Sequence, residues 1–404
     1  LTNADGVRFP FTFFLINDPS INAAAFLGGR VKVHTGLFLY ADNESELASV
    51  LAHEITHVTQ RHIARYMEAQ ASSSAMTLAG LVGSIALAVI NPTAGIAALQ
   101  TTLGLSMQSA INYTRDNEYE ADRIGMKTLY DAGFDPMGMA SFFQKLAAEY
   151  RYASKPPEML LTHPLPETRI SEARARAGSY GRRALPPSLD FWLAKVRIQV
   201  RYGTESPQAL LTYFDSRLQK GDYPLKDAAT YGKALALLQL KRTDEADTLM
   251  QGLAARHPED LFVVDALTDI DLAKGRSAQA IARLERFRTR MPDNEVVVVN
   301  LGNAYLEAGN YKKSIAILDP YAREHDENSL AWSLLSDAYR KAGRMTDLHM
   351  ARAETLSLRG DYQAAIDELI VARGTTSDKL TLARIEARIT QLERAKKDLD
   401  SLKG

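Results

Sequence analysis

A period of 34 residues in the second half of the chain constrains its fold more than any other feature. Glycine recurs at this period, and so do a small residue and, over part of the stretch, a proline. Glycine lets the backbone turn sharply between two helices, and small side chains let neighbouring helices cross closely. Repeats of this length stack so that each unit packs on its neighbours. The residues are Gly275, Gly309 and Gly343; Ala246, Ala280 and Ser314; and Pro258 and Pro292.

The residues between these positions resemble the tetratricopeptide repeat. The resemblance implies two antiparallel helices per repeat, stacked into a solenoid. Such arrays usually present a concave surface to another protein, and a passive scaffold is the alternative. The matching residues are Val298, Leu301, Gly302 and Tyr305 in one repeat, and Trp332, Leu335, Ser336 and Tyr339 in the next.

The end of the array departs from the period. Gly360 follows Gly343 after 17 residues, so we expect one helix to serve two neighbouring repeats. A final apolar stripe at helical spacing predicts a helix that caps the exposed end of the solenoid. The stripe consists of Leu382, Ile385, Ile389, Leu392 and Leu399.

The first half of the chain contains the sequence His-Glu-Ile-Thr-His at 53–57. Asn43 as a helix cap and Glu46 closing a capping box predict a helix from there to about Ala69. The spacing then places His53 and His57 on one helical face, one turn apart, where they can share a metal ion. The opposite face is an apolar stripe that would bury the helix against a core. Its members are Leu47, Leu51, Ile55 and Val58.

This pattern is typical of a zinc peptidase helix. His53 and His57 would be ligands, and Glu54 would be the general base that takes a proton from the attacking water. The alternative is a helix that carries the five letters by chance. The chain has no cysteine, so a zinc site must use histidine and carboxylate ligands.

A second acidic pair suggests the remaining carboxylate ligand. Glu118 and Asp122 stand four residues apart, on one helical face. Glu118 is the candidate third ligand, and Asp122 would accept the distal N–H of a zinc-binding histidine and fix its orientation. The alternative is a solvated helix face.

Residues 7–38 are predicted to form a small sheet. The stretch from Phe9 to Ile16 is rich in aromatic and β-branched residues, and Gly28-Gly29 precedes Arg30–His34, which alternates as a strand with one wet face does. An edge strand beside the zinc helix could pair with an extended peptide; an ordinary hairpin edge is the alternative. We expect neither His34 nor His62 to be a ligand.

No charged residue occurs from Ala69 to Thr114. Neither half of the stretch reaches about 20 clean apolar residues, the length that a transmembrane helix needs. A buried helical hairpin, a lid beside the active site, and a hairpin that contacts a membrane surface through residues 76–107 are the alternatives.

His163 lies in a loop stiffened by Pro164 and Pro166, and Arg169 follows. The imidazole could stabilise the oxyanion of the tetrahedral intermediate. It could instead be a fourth zinc ligand that keeps the peptidase latent, because a catalytic zinc keeps one open position. A structural histidine bonded to its own loop is the third alternative.

Together these motifs, in this order, resemble the gluzincin peptidases of the HtpX and CAAX prenyl protease type. The resemblance covers residues 7–176 and implies one zinc ion per chain, with Asp122 and Arg169 supporting the ligands. Those relatives are usually embedded in a membrane by several helices, and this chain has just the uncharged stretch.

The whole chain resembles a bacterial group that joins such a peptidase to a repeat array. We therefore expect an α+β, mostly helical protein, with a metallopeptidase domain and small sheet at 1–185 and an all-α repeat domain at 186–404. Residues 178–188 would link them. The net charge of −1 gives no case for nucleic acid binding. Because the chain starts at Leu1, we expect that a signal peptide has been removed.

The resemblance also implies partners and a location. It implies a periplasmic enzyme of Gram-negative bacteria that degrades stalled or misfolded outer-membrane proteins and assists their assembly, with the repeats contacting the assembly machinery. The alternative function is a chaperone or adaptor whose zinc site stays closed. The residues themselves indicate a zinc endopeptidase with a protein-docking module.

Overall fold

The computed structural model describes residues 1, 2, 4, 7, 10–71, 107–152 and 158–403. The chain divides into two compact units, Leu1–Gly232 and Lys233–Gly404. Helices dominate both, and one three-stranded sheet lies near the start. The predicted fold class, a mostly helical α+β domain followed by helical repeats, is confirmed.

The sheet contains strands β1 (Thr12–Ile16), β2 (Ala23–Phe26) and β3 (Arg30–His34), in the order β1-β3-β2. β2 and β3 form the predicted antiparallel hairpin, whose turn places Gly28 and Gly29 at φ of 80° and 75°. β1 joins β3 in parallel. The predicted wet face of 30–34 is wrong, because residues 31–34 are all buried and both faces of β3 are therefore covered. The predicted edge position is also wrong, because β3 lies between β1 and β2.

After the short helix α1 (Thr35–Tyr40) comes α2 (Glu44–Thr59), which carries the histidine motif. The predicted cap is confirmed, since Asn43 Oδ1 accepts a hydrogen bond from the Glu46 amide at 3.0 Å. The Glu46 carboxylate reaches the amide of Asp42 rather than that of Asn43, at 2.9 Å. The capping box therefore closes one residue earlier than its usual form.

The prediction that α2 continues to about Ala69 is wrong. Arg61 adopts a left-handed conformation, with φ of 58°, and a new helix, α3 (His62–Ala71), begins after it. The amides of Gln60 and Arg61 bond back to the carbonyls of Thr56 and Val58, as in many helix ends. Sequence periodicity across 53–69 does not reveal this break because no glycine or proline marks it.

Four more helices complete the surroundings of the motif: α4 (Met107–Asp131), α5 (Met137–Tyr152), α6 (Glu158–Thr162) and α7 (Glu167–Tyr180). α2 packs against α4, α5 and β2. The close approach of α4 depends on Gly125, since a Cβ there would lie 3.2 Å from backbone atoms of Ala52 and His53. The apolar core that these helices share includes Leu37, Ala52, Met126, Leu129, Met139 and Phe142.

Three helices follow the predicted linker: α8 (Leu189–Tyr202), α9 (Pro207–Lys220) and α10 (Lys226–Gln239). α8 packs against α1 in the first unit, and Lys195 Nζ donates a hydrogen bond to the carbonyl of Ala41. The linker therefore leads into a helix that belongs to the first compact unit.

The second unit holds the repeat helices. They are α11 (Thr243–Arg256), α12 (Leu261–Ala273), α13 (Ser277–Arg288), α14 (Glu295–Glu307), α15 (Tyr311–Glu324), α16 (Ser329–Lys341), α17 (Met345–Leu358), α18 (Tyr362–Gly374) and α19 (Lys379–Lys403).

The recurring glycines separate successive helices of this unit. Gly275, Gly309 and Gly343 have φ of 68°, 73° and 73°, a conformation that glycine adopts without strain. A single helix, α17, lies between Gly343 and Gly360 and packs against both α16 and α18, as a helix that serves two neighbouring repeats would. α19 buries Ile385 and Leu392 against the helices before it, so the capping helix is confirmed.

Within the described residues, no helix combines the length and the apolar character that crossing a bilayer requires. Most of the uncharged stretch predicted as a hairpin, including 76–106, lies outside those residues.

Candidate metal centre

Two helices and one loop bring the predicted ligands together. His53 and His57 come from α2, Glu118 from α4, and His163 from the loop between α6 and α7. One potential ligand atom from each of the four lies within 4.8 Å of the other three. Among the described residues, this is the group that could hold a metal ion.

The individual distances show which atoms converge. His53 Nε2 and His57 Nε2 are 2.9 Å apart, and each lies 3.3 Å from an oxygen of Glu118. His163 Nδ1 is 3.0 Å from Glu118 Oε1 and 3.4 Å from His53 Nε2. Imidazole nitrogens and a carboxylate oxygen, held on buried rigid elements, are the donor set that zinc prefers.

The charges of the cluster also suit a cation. Burial opposes the charged form of His53, but the carboxylates of Glu118 and Asp122 outweigh it and raise its pKa to about 10. Burial lowers the pKa of His57 to about 3. Burial also disfavours ionised Glu118, yet His163 and His53 hold its pKa well below the ordinary value. The buried carboxylate therefore stays ionised and contributes negative charge.

Asp122 and Arg169 hold these groups in place. Asp122 Oδ1 lies 3.0 Å from His53 Nδ1, the nitrogen that faces away from the cluster. Because a carboxylate accepts, this contact puts the proton on Nδ1 and leaves the Nε2 lone pair for the cluster. Arg169 is buried and donates from Nε and Nη2 to Asp122 at 2.7 and 2.8 Å.

Arg169 also joins the helices to the loop. Its Nη1 lies 2.8 Å from Glu118 Oε2 and donates to the carbonyl of Pro164 at 2.6 Å. One guanidinium thus connects the carboxylates of α4 to the loop that carries His163. Its planar fork of donors suits this use, which a lysine could not reproduce.

Glu54 faces the cluster without belonging to the ligand group. Its Oε2 accepts a hydrogen bond from the backbone amide of Ala25 in β2 at 2.9 Å. Its Oε1 lies 3.3 Å from His163 Nε2. Burial raises the pKa of Glu54 above the ordinary value, which suits a group that must accept and return a proton near neutral pH.

The two other histidines near the start of the chain lie outside the ligand group, as the sequence predicts. His34 Nδ1 is 2.8 Å from Ser20 Oγ, within the sheet region. His62 Nδ1 is 2.8 Å from His57 Nδ1, and its Nε2 is 3.1 Å from Glu120 Oε2. Sequence reasoning missed these contacts of His62 and Glu120, because they depend on the break at Arg61.

An apolar cavity of about 290 Å³ lies beside His57. Its walls come from the β2–β3 hairpin and from the residues around the α2–α3 break. They include Phe26, Leu27, Val58 and Ile63. A cavity of this character next to the cluster can accept an apolar side chain of a bound peptide.

Comparison with known proteins finds a family match in each half of the chain. Residues 2–177 match Peptidase family M48, and residues 271–338 match Tetratricopeptide repeat. A solved structure of a tetratricopeptide repeat protein from Parabacteroides merdae matches with 13% identity and a TM-score of 0.33. The match covers 68% of this chain and 99% of the solved chain.

Two curated relatives extend the similarity across both parts. The beta-barrel assembly-enhancing protease of Yersinia pestis is 50% identical over 285 residues, which is 70% of this chain and 58% of the relative. Its counterpart in Escherichia coli K12 is 47% identical over 288 residues, 71% of this chain and 59% of the relative. The chain thus spans less than two thirds of these relatives. Residues 2–177 form a domain of peptidase family M48, and residues 271–338 carry tetratricopeptide repeats.

Proposed function

We propose that the chain is a zinc-dependent endopeptidase, with His53, His57 and Glu118 as metal ligands. The observation that carries the proposal is the convergence of their ligand atoms beside Glu54, a buried carboxylate that the ligand group does not include. A structural metal site would have no use for such a base. The family match over residues 2–177 supports the same reading.

Zinc, when bound, supplies a Lewis acid that acidifies water and polarises a peptide carbonyl. The chain's own residues then orient and move the proton. Glu54 accepts the proton of the attacking water and returns it to the leaving amine. The hydrogen bond from the amide of Ala25 to Oε2 fixes the rotation of this carboxylate, so Oε1 is the atom that exchanges the proton.

The position of His163 supports a second candidate function. Its Nδ1 lies among the ligand atoms and its Nε2 lies against Glu54 Oε1. In this position it occupies space that an attacking water needs, which supports a fourth ligand that keeps the enzyme latent. Movement of the loop would turn the same imidazole into an oxyanion donor. A chiefly chaperone-like protein with a closed site is therefore the second candidate function.

The test of the proposed function is Glu54→Gln. The variant keeps the ligands, so it should retain about one zinc per chain and the fold. It should lose proteolysis of an unfolded protein such as casein, because the amide cannot accept the proton. The matched control is Glu172→Gln, an exposed carboxylate on α7 outside the ligand group. Cleavage by the Glu54→Gln protein at the wild-type rate would contradict the mechanism.

We also propose substrates, partners and a location. The relatives' name, beta-barrel assembly-enhancing protease, supports outer-membrane proteins that are misfolded or stalled as clients, and the periplasm of Gram-negative bacteria as the compartment. The tetratricopeptide repeats support docking of these clients or of the β-barrel assembly machinery. We propose a peptidase part at 1–185 and a docking part at 186–404, divided just after the family match ends, although the first compact unit continues past this division to Gly232.

A further inference from the structure

The inference concerns the second nitrogen of His57, and it rests on the proposed function. Nε2 of His57 points at the other ligand atoms, 2.9 Å from His53 Nε2. Its Nδ1 points the opposite way and lies 2.8 Å from Nδ1 of His62. The other nitrogen of His62, Nε2, lies 3.1 Å from Glu120 Oε2. His62 is buried, with 3% of its surface exposed.

The chemistry of these atoms allows one arrangement of protons when a metal is bound. A neutral imidazole that ligates through Nε2 carries its proton on Nδ1. His57 Nδ1–H must then donate to His62 Nδ1, which presents a lone pair. The proton of His62 is left on Nε2, where the Glu120 carboxylate accepts it. The three residues thus form a chain of hydrogen bonds in which every donor meets an acceptor.

The broken helix is what makes the contact. In a continuous α-helix, residues five apart lie about 140° from each other around the axis, on different faces. Arg61 at φ of 58° interrupts the helix and turns α3 so that the His62 ring meets the His57 ring, at 4.8 Å between centroids. A left-handed conformation is costly for a residue other than glycine. The contact between the two imidazoles offsets that cost at Arg61.

The far end of the chain is anchored as well. Arg65, one turn along α3 from His62, donates from Nη2 to Glu120 at 2.8 Å and to Asn117 at 2.9 Å. α4 therefore supports both histidines of α2: Asp122 contacts His53 directly, and Glu120 reaches His57 through His62.

We propose that His62 is a positioning residue that fixes the ring orientation and tautomer of His57, and so raises the affinity of the site for zinc. Groups that hold a metal-binding histidine in this way typically contribute 10- to 100-fold in metal affinity. His62 is not itself a member of the ligand group.

The test compares three substitutions in the full chain by zinc affinity, measured in competition with a chromophoric chelator. His62→Ala removes the acceptor and should weaken zinc binding about 10- to 100-fold. His62→Asn can place its Oδ1 where Nδ1 of His62 lies, so it should recover most of the affinity. His62→Gln reaches toward Glu120 instead and should resemble His62→Ala.

His34→Ala is the matched control, because it removes another buried histidine that lies in the sheet region and contacts Ser20. It should leave zinc affinity unchanged. The visible spectrum of the cobalt-substituted protein gives a second readout, and it should change in His62→Ala and return in His62→Asn. Circular dichroism checks the fold of each variant.

Equal zinc affinity in wild type and in His62→Ala would overturn the inference. So would equal losses in the Ala, Asn and Gln variants, since these would show that His62 contributes packing rather than an acceptor. If His62→Ala does not fold, the comparison of the near-isosteric Asn and Gln variants decides the outcome. Failure of the proposed function looks different, because wild type would then lack zinc or Glu54→Gln would still cleave.

Discussion

His163 is the residue whose role most affects how the enzyme is controlled. Its Nδ1 lies with the ligand atoms, and Arg169 holds the carbonyl of the next residue, Pro164. Burial opposes the charged form of His163, while Glu118 and Glu54 raise its pKa above the ordinary value. The two carboxylates and the anchored loop therefore hold the imidazole at the cluster, and as a zinc ligand it would be the neutral form, with a lone pair on Nδ1.

If His163 is a latch, His163→Ala should raise basal cleavage of an unfolded protein and produce self-cleavage, while zinc content stays at about one per chain. If it is an oxyanion donor, turnover should fall about 100-fold or more. We expect a rise in basal cleavage, because His163 Nδ1 lies among the other ligand atoms, 3.0 Å from Glu118 Oε1 and 3.4 Å from His53 Nε2. The rate of casein cleavage by purified variant and wild type distinguishes the two. His34→Ala serves as the control, and a fall in turnover would contradict the latch.

Some residues of the site could be predicted from the sequence and others could not. His53, Glu54 and His57 could be predicted because helical spacing is a local property. Glu118 could be predicted from its spacing to Asp122 and from the lack of cysteine ligands, and His163 from its proline-stiffened loop, but nothing local indicates that these distant segments meet. His62 and Glu120 could not be linked, because the contact requires a left-handed Arg61, a conformation that no sequence signal marked.

At the scale of elements, the distance between α2 and α4 sets the geometry of the metal centre. α4 carries Glu118 and Asp122, and Gly125 touches the α2 backbone one turn further along. A Cβ at Gly125 would lie 3.2 Å from Ala52 and His53 backbone atoms, which cannot move as a flexible side chain can. A methyl group there would push the helices apart by a few tenths of an ångström.

Gly125→Ala should therefore weaken zinc binding. The stability of the fold should change by about 1 kcal/mol or less, because the gain in helix propensity, about 1 kcal/mol, offsets part of the cost of overpacking. Chelator competition gives the affinity, and thermal unfolding gives the stability. The control is Gly178→Ala in α7, where a Cβ would meet no atom within 4 Å. Equal zinc affinity in both variants would show that the contact does not set the site.

The secondary elements themselves were partly predictable. The β2–β3 hairpin followed from Gly28-Gly29 between two strand-like runs. The central position of β3 did not, because alternation at 30–34 gives no information on the parallel pairing of β1 that covers its other edge. Lys32 is 9% exposed, so a charged residue in an alternating pattern does not by itself mark a face that contacts water.

At the scale of the whole molecule, the second unit should be needed for docking rather than for metal binding. Truncation after Gln239 keeps α8–α10 together with the peptidase domain. A cut at 190 would remove these three helices. The truncated protein should keep its zinc but lose capture of purified β-barrel assembly machinery in a pull-down. The full chain with Glu54→Gln is the control, and it should still capture the complex. Unchanged capture by the truncated protein would contradict a docking role for the repeats.

The repeat unit was the part most readily predicted from the sequence. A 34-residue period fixes where helices begin and end, because each glycine at a turn must adopt a positive φ. The 17-residue spacing of Gly343 and Gly360 predicts the single helix between them, α17. The attachment of α8 to the first unit did not, since the proline-rich linker gives no indication of which unit the following helix joins.

The most direct test of the central claim is the position of zinc in crystals of this chain, located by anomalous scattering at the zinc absorption edge. We predict one strong peak per chain, about 2.0–2.2 Å from His53 Nε2, His57 Nε2 and a carboxylate oxygen of Glu118, with Glu54 outside bonding distance. A peak at other residues, or none at this cluster in zinc-loaded protein, would contradict the account.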